Sequence, residues 1–294
     1  MPGVTQIYPQ PLIIGSRGQL GQALLKLSPN AIGLWREHID LSKPNLSEAL
    51  RPYLQRENNI SGIINAAAYT NVDGAETHAD LATRVNSNAV REIAEFCEER
   101  DLPFVHISTD YVFSGKAIEP YKTSQKTNPL NVYGQSKLEG EVAINGTGAN
   151  AAILRTSWVY DSVNKNFLTT MLHLSKTREF LKVVGDQIGR PTYTEDLARA
   201  ALIALIEIKA NPNKAGLYHV TNTGKPISWA QFAEAIFSVT KRNVTVSAIP
   251  SSEYPTAAAR PAYSVLDTSK FEDVFNHELP DWRNGLNRAT NLLH

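Results

Sequence analysis

The sequence predicts an α/β fold, a doubly wound parallel sheet in residues 1–163 joined to a smaller mixed α/β lobe in residues 164–294. Three observations predict it. Short apolar runs alternate with segments of helical periodicity through the first half, and the first of those runs ends in regularly spaced glycines. Beyond about residue 164 the apolar runs become shorter and irregular. A chain of 294 residues is long enough for one large domain or two, and for a sizeable core. Its 29 basic residues balance 29 acidic ones, which gives no support for a nucleic-acid or anionic-membrane partner. Cys97 is the single cysteine, so neither an intrachain disulfide nor a cysteine-based zinc site is possible. That suits a reducing compartment. The first residues lack a signal-peptide pattern, and no apolar run is long enough to span a bilayer, so a soluble cytoplasmic chain is expected.

The run from Pro11 reads as a buried strand that leads into Gly15, Gly18 and Gly21 and then into an apolar-periodic helix. Glycines permit a tight turn and let backbone N–H groups approach a pyrophosphate at a helix N-terminus, where the dipole favours anions. The spacing is G-x-x-G-x-x-G, a variant of the Rossmann fingerprint, in the strand-then-helix setting that the motif requires. The next strand, 31–36, ends at Arg36, and Arg17 lies inside the glycine loop. An arginine at this strand end suits a 2′-phosphate and an acid the ribose hydroxyl; Glu37 follows directly, so the expectation is NADPH with NADH accepted. Residues 61–69 read as a strand ending in small side chains, 81–100 as a helix with Val85, Ala89, Ile93 and Phe96 along one stripe, and 103–110 as a strand ending in hydroxyls. In an open parallel sheet ligands collect at the carboxyl ends of strands, which is where Ser108 and Thr109 fall. A further strand covers 151–158; helices are expected at 166–177, 194–210 and 228–240, the second packing back on the first domain.

Tyr133 and Lys137 stand four apart in a segment composed like a helix start. On a helix that spacing puts phenol and ammonium on one face. A nearby lysine charge favours phenolate, lowers the phenol pKa and fits the group for acid–base work.

These motifs occur together and in order with Asn65-Ala-Ala-Ala-Tyr-Thr, Ser108-Thr-Asp-Tyr-Val-Phe, Arg155-Thr-Ser-Trp-Val-Tyr, Asp186-Gln-Ile-Gly-Arg-Pro-Thr and Arg260-Pro-Ala-Tyr-Ser-Val-Leu-Asp. From about residue 11 to the C-terminus the chain resembles the dTDP-4-dehydrorhamnose reductase family of extended short-chain dehydrogenase/reductases. The resemblance implies reduction of the 4-keto group of dTDP-4-dehydro-L-rhamnose to dTDP-L-rhamnose by reduced nicotinamide. Tyr133 would be the proton donor, Lys137 the ribose-holding residue that lowers the tyrosine pKa, and Thr109 a hydrogen-bond partner of the reacting oxygen. It places Gly15, Gly18, Gln19, Leu20 and Gly21 at the cofactor phosphates and ribose, Asp40 and Leu41 near the adenine, and Ala66, Ala67 and Tyr69 further along the dinucleotide. Val72, Thr109, Tyr133 and Trp158 would meet the substrate, and Arg260 its diphosphate. Some members dimerise around a magnesium held by glutamates. Glu195 matches one such position, but Ala23 fills another and the tail from Arg288 offers no acid, so no structural metal is expected, and the assembly is a monomer or a homodimer. About ten residues precede the first strand, and Ser114 stands where the family usually has Asp. The rivals are a reductase or epimerase acting on another nucleotide-6-deoxyhexose, and a non-catalytic regulatory subunit of the same fold.

Overall fold

The computed structural model describes residues 10–56 and 59–292, so the N-terminal extension lies outside the described residues save for Gln10. Strands β1 (Gln10–Ile14), β2 (Ile32–Leu34), β3 (Ile60–Asn65), β4 (Phe104–Thr109) and β5 (Ala151–Thr156) join the strand Gly216–His219 in a six-stranded sheet. Every pairing in it is parallel, and the order runs Gly216–His219, β5, β4, β3, β1, β2. A parallel sheet is covered on both faces, which is why its strands are continuous apolar runs rather than alternating ones. On one face Ile13, Ile64 and Leu154 pack with Leu24, Leu197 and Leu205; on the other Leu12, Ile14 and Ile63 pack with Leu50, Ile93 and Phe96. The helix Thr194–Ala210 covers the first face beside the helix Gln19–Leu27. The sheet therefore draws its last strand and one covering helix from beyond residue 163.

The helix expected over 81–100 is interrupted. It runs as Ala79–Thr83, a π-turn at Arg84–Asn88, and Ala89–Glu99. The reason is Asn86, fully buried, whose Oδ1 accepts from the Tyr69 N–H at 2.8 Å and whose Nδ2 donates to the Tyr69 carbonyl at 3.1 Å. The wider turn presents this side chain to a loop far away in sequence. β3 also stops earlier than the expected strand, so Ala66 to Tyr69 leave the sheet as a loop.

Beyond β5 three two-stranded ladders pair Val159–Tyr160 with Thr192–Tyr193, Phe180–Val184 with Thr245–Ile249, and Ile188–Gly189 with Ile227–Ser228. Their core gathers Tyr160, Tyr193, Phe232 and Trp282. The helices Phe167–Leu174 and Trp229–Val239 each begin with a reciprocal capping box, Asn166 with Thr169 and Ser228 with Gln231. Among the described residues no helix is long and apolar enough to cross a membrane.

Candidate active site

β1 is followed by β2 on one side and bordered by β3 on the other, so the direction of strand succession reverses between β1 and β3. A crevice opens at the carboxyl ends of strands at such a point. Gly15 sits there with φ +84°, and a Cβ on it would lie 2.7 Å from the Ala67 nitrogen. A Cβ on Gly21 would lie 2.2 Å from the Gly15 carbonyl oxygen, so the loop folds directly onto its own helix. That helix opens at Gly18 with no side-chain cap, which offers its first-turn N–H groups to an anion. The crevice is a cavity of about 880 Å³. Every expected cofactor or substrate position lines it except Gly21, Lys137 and Arg260.

At the β2 end, Arg17 lies over the Trp35 ring at 4.3 Å, with its Nη1 3.3 Å from Glu37. Arg36 pairs with Asp40 at 3.5 Å. Both guanidinium groups stay exposed on the rim, where a 2′-phosphate could exchange for these loose carboxylate contacts. Trp35 lines the cavity although the sequence reading gave it no role; an aromatic one residue before the specificity position was the available signal.

At the other end, the helix Val132–Asn145 starts where Asn131 Oδ1 accepts from the Gly134 N–H at 2.7 Å. Tyr133 projects from its first turn into the cavity, edge-on to Tyr111 at 5.5 Å. Here the structure corrects an expectation. Lys137 Nζ turns away to β4, donating to the Ile107 carbonyl at 2.7 Å and lying 3.1 Å from His106 Nε2. The Tyr133 hydroxyl is pushed up to about 12 by burial, with the Thr109 hydroxyl lowering it and Asp110 raising it further. Lys137 does not figure among these causes. Helical spacing gave the pair a common face, but a carbonyl on the neighbouring strand took the lysine nitrogen. Lys137 itself, 1 % exposed, is brought down to about 8 by burial, against the pull of Glu141.

Thr109 and Asp110 complete this end. The Thr109 hydroxyl donates to Asp110 Oδ1 at 3.0 Å, and Asp110 Oδ2 is buried without a hydrogen-bond partner among the described residues. Burial raises Asp110 to about 7, against hydrogen bonds from Ser264 and Thr109. Asp110 belongs to the Ser108-Thr-Asp-Tyr-Val-Phe motif, yet the sequence reading gave it no role, because nothing in the sequence shows a carboxyl to be buried. Behind it, Ser108 donates to Glu141 Oε1 at 2.5 Å, and the Arg155 guanidinium forks Glu141 at 2.8 and 2.6 Å.

The family model described as RmlD substrate binding domain matches residues 10–294. The chain belongs to that family. A dTDP-4-dehydrorhamnose reductase of Sinorhizobium fredii is 38 % identical over 94 % of this chain and 95 % of its own length. One from Burkholderia thailandensis is 40 % identical over 92 % and 95 %. Among solved structures, the dTDP-4-dehydrorhamnose reductase of Bacillus anthracis in complex with NADP superimposes with a TM-score of 0.88 at 34 % identity, covering 97 % of this chain and all of that one.

Within this family frame three positions need comment. Trp158, at φ +48°, stacks on Trp229 at 3.5 Å while still lining the cavity, so it is both packed and available as a wall. Arg260 does not line the cavity; its guanidinium forks Asp73 at 2.8 and 3.1 Å, next to Val72. Glu195 is ion-paired with Lys26 and lies 3.9 Å from Arg288. Cations thus occupy the surroundings that a glutamate-held magnesium would require, and the residues present do not fit that metal.

Proposed function

We propose that this chain reduces the 4-keto group of dTDP-4-dehydro-L-rhamnose to give dTDP-L-rhamnose, with NADPH as the preferred reductant and NADH accepted. The observation that carries the reading is one continuous cavity with an uncapped glycine-loop helix at one end and Tyr133 beside Thr109 at the other. Relatives about 40 % identical over nearly the whole chain support the substrate, and the NADP complex of the Bacillus anthracis relative supports the cofactor.

When bound, the reduced nicotinamide supplies the hydride. Gly15, Gly18 and the first turn at Gln19 and Leu20 hold its pyrophosphate; Ala66 and Ala67 let it pass close to the backbone; Arg17 and Arg36 meet a 2′-phosphate. Val72 and Trp158 wall the deoxysugar, and Arg260 reaches its diphosphate by exchanging Asp73 for phosphate.

As negative charge develops on the keto oxygen, Tyr133 donates its proton there and the Thr109 hydroxyl adds a hydrogen bond. A phenol held well above neutrality is protonated at working pH, which is the state a reduction needs. In this structure the one Thr109 O–H is given to Asp110 Oδ1, so Thr109 exchanges that acceptor for the keto oxygen when the substrate is bound. Intact Thr109, Tyr133 and Lys137 leave the regulatory-subunit reading without a feature that favours it. The buried, unpaired Cys97 suits a reducing cytoplasm, where we place the reaction.

The test is loss of reduced-nicotinamide absorbance on addition of dTDP-4-dehydro-L-rhamnose, with NADPH and NADH in parallel. Stoichiometric oxidation is expected, faster with NADPH at limiting cofactor. Sugar-nucleotide turnover without net oxidation would replace the proposal with an epimerase.

A further inference from the structure

Lys137 ends a chain of four groups whose hydrogen-bonding roles can be worked out from one end. The Ala67 backbone N–H is a donor under all conditions, and it lies 3.1 Å from Asn65 Oδ1. This fixes the orientation of the Asn65 amide, because the reverse would set two donors against each other. Asn65 Nδ2 is then a donor 3.2 Å from His106 Nδ1, which must accept. His106 is fully buried, and burial holds its imidazolium well below the ordinary histidine range. A neutral ring that accepts at Nδ1 carries its proton on Nε2. That N–H points at Lys137 Nζ, 3.1 Å away. An ammonium has no lone pair with which to accept it; an amine has one, and still keeps an N–H for the Ile107 carbonyl.

We propose that Ala67, Asn65, His106 and Lys137 form a directional hydrogen-bond relay that, in the arrangement seen here, ends on an uncharged Lys137, and that His106 is a positioning residue coupling the charge of Lys137 to the Ala66–Ala67 loop. Protonating Lys137 reverses the relay. Nζ takes a proton from solvent, the ring proton moves from Nε2 to Nδ1, Asn65 turns its oxygen to the ring, and the Ala67 N–H loses its acceptor. The amine is within reach of ordinary pH because burial brings Lys137 down to about 8. Among the described residues, the ionisable groups on the elements packed around it are otherwise committed. Glu141 pairs with Arg155, Arg84 with Glu92, and Asp110 with the Thr109 hydroxyl, while Tyr133 faces the cavity. The link to cofactor binding rests on the proposed function, since that reading puts the dinucleotide on Ala66 and Ala67. The relay itself does not.

The test reads ring-nitrogen shifts in protein labelled with ¹⁵N-histidine, at a pH of about 9 where the amine form prevails. His106 and His219 are both 0 % exposed, and His219 Nδ1 faces the Tyr121 carbonyl at 3.0 Å, so that ring carries its proton on Nδ1. The spectrum is expected to hold one buried neutral ring of each tautomer, the Nε2–H ring being the one lost in His106→Gln. In Asn65→Asp the carboxylate accepts from both Ala67 and the ring. His106 should then switch to Nδ1–H, and the Lys137 titration should rise by about one pH unit or more. Two buried Nδ1–H rings in the unsubstituted protein would overturn the relay, and this reading stands even if neither variant folds. None of these readouts uses turnover, so an inactive enzyme with the expected tautomers would contradict the proposed reaction and leave the relay intact.

Discussion

Asp110 shows how a single residue sets a cost that the site then uses. Its carboxyl is raised from 3.8 to about 7 by burial, with one oxygen lacking a hydrogen-bond partner among the described residues. A carboxyl whose folded pKa exceeds its unfolded value contributes stability below the unfolded value and loses it as pH rises through the folded one. The wild type should therefore lose on the order of a few kcal/mol between about pH 4 and about pH 8 from this group alone. Asp110→Asn keeps an acceptor for Thr109 and removes the titration, so denaturant melts should show the variant gaining on the wild type across that window. A pH-independent difference would mean that Asp110 is ordinary in the fold. At the opposite end of the cavity, Arg36→Asp should weaken NADPH by about tenfold or more while leaving NADH little changed, as a lost phosphate contact does. Equal effects on both cofactors in fluorescence titrations would remove Arg36 from the 2′-phosphate site.

The helix Val132–Asn145 is held to the sheet by a buried ion pair as well as by Ile144 in the apolar core. Its Glu141 and the Arg155 of β5 are each about 3 % exposed in their side chains and paired through two hydrogen bonds. Glu141→Gln leaves the buried guanidinium without its counter-charge and should cost about 3–5 kcal/mol, measured by urea melts. A loss under about 1 kcal/mol would mean that water reaches Arg155. This helix also marks where sequence reading succeeds and stops. Its start was legible because the composition of the segment and the Tyr133–Lys137 spacing are local. The turn of Lys137 toward the Ile107 carbonyl was not, because that acceptor lies on a strand about thirty residues earlier and no local pattern announces it. The π-turn at Arg84–Asn88 escaped for the same reason: Val85, Ala89 and Ile93 keep helical spacing, while the cause, Asn86 pairing with Tyr69, is tertiary. The helix Thr194–Ala210 was legible to the residue because its apolar stripe and its bounds are both local.

Over the whole molecule, the parallel sheet places the glycine loop, the Asn65–Tyr69 loop and the Ser108–Thr109 strand end along one edge, so residues scattered through the first half of the chain share one cavity. Trp158 lines that cavity with the aromatic cluster of the second half behind it, and the second half returns the strand Gly216–His219 to the main sheet. That return was hidden in the sequence, where the strand reads like the irregular ladders around it. Everything converges on a phenol kept protonated at the end of a cavity shaped for a dinucleotide. The most direct measurement compares Tyr133→Phe with the wild type, following cofactor binding by fluorescence titration and keto-sugar reduction by absorbance in the same preparations. Cofactor affinity within about twofold and turnover lowered by about a hundredfold or more are expected, since the variant lacks only the proton donor. Turnover near that of the wild type would contradict the account, and the proton would have to come from another group in the cavity.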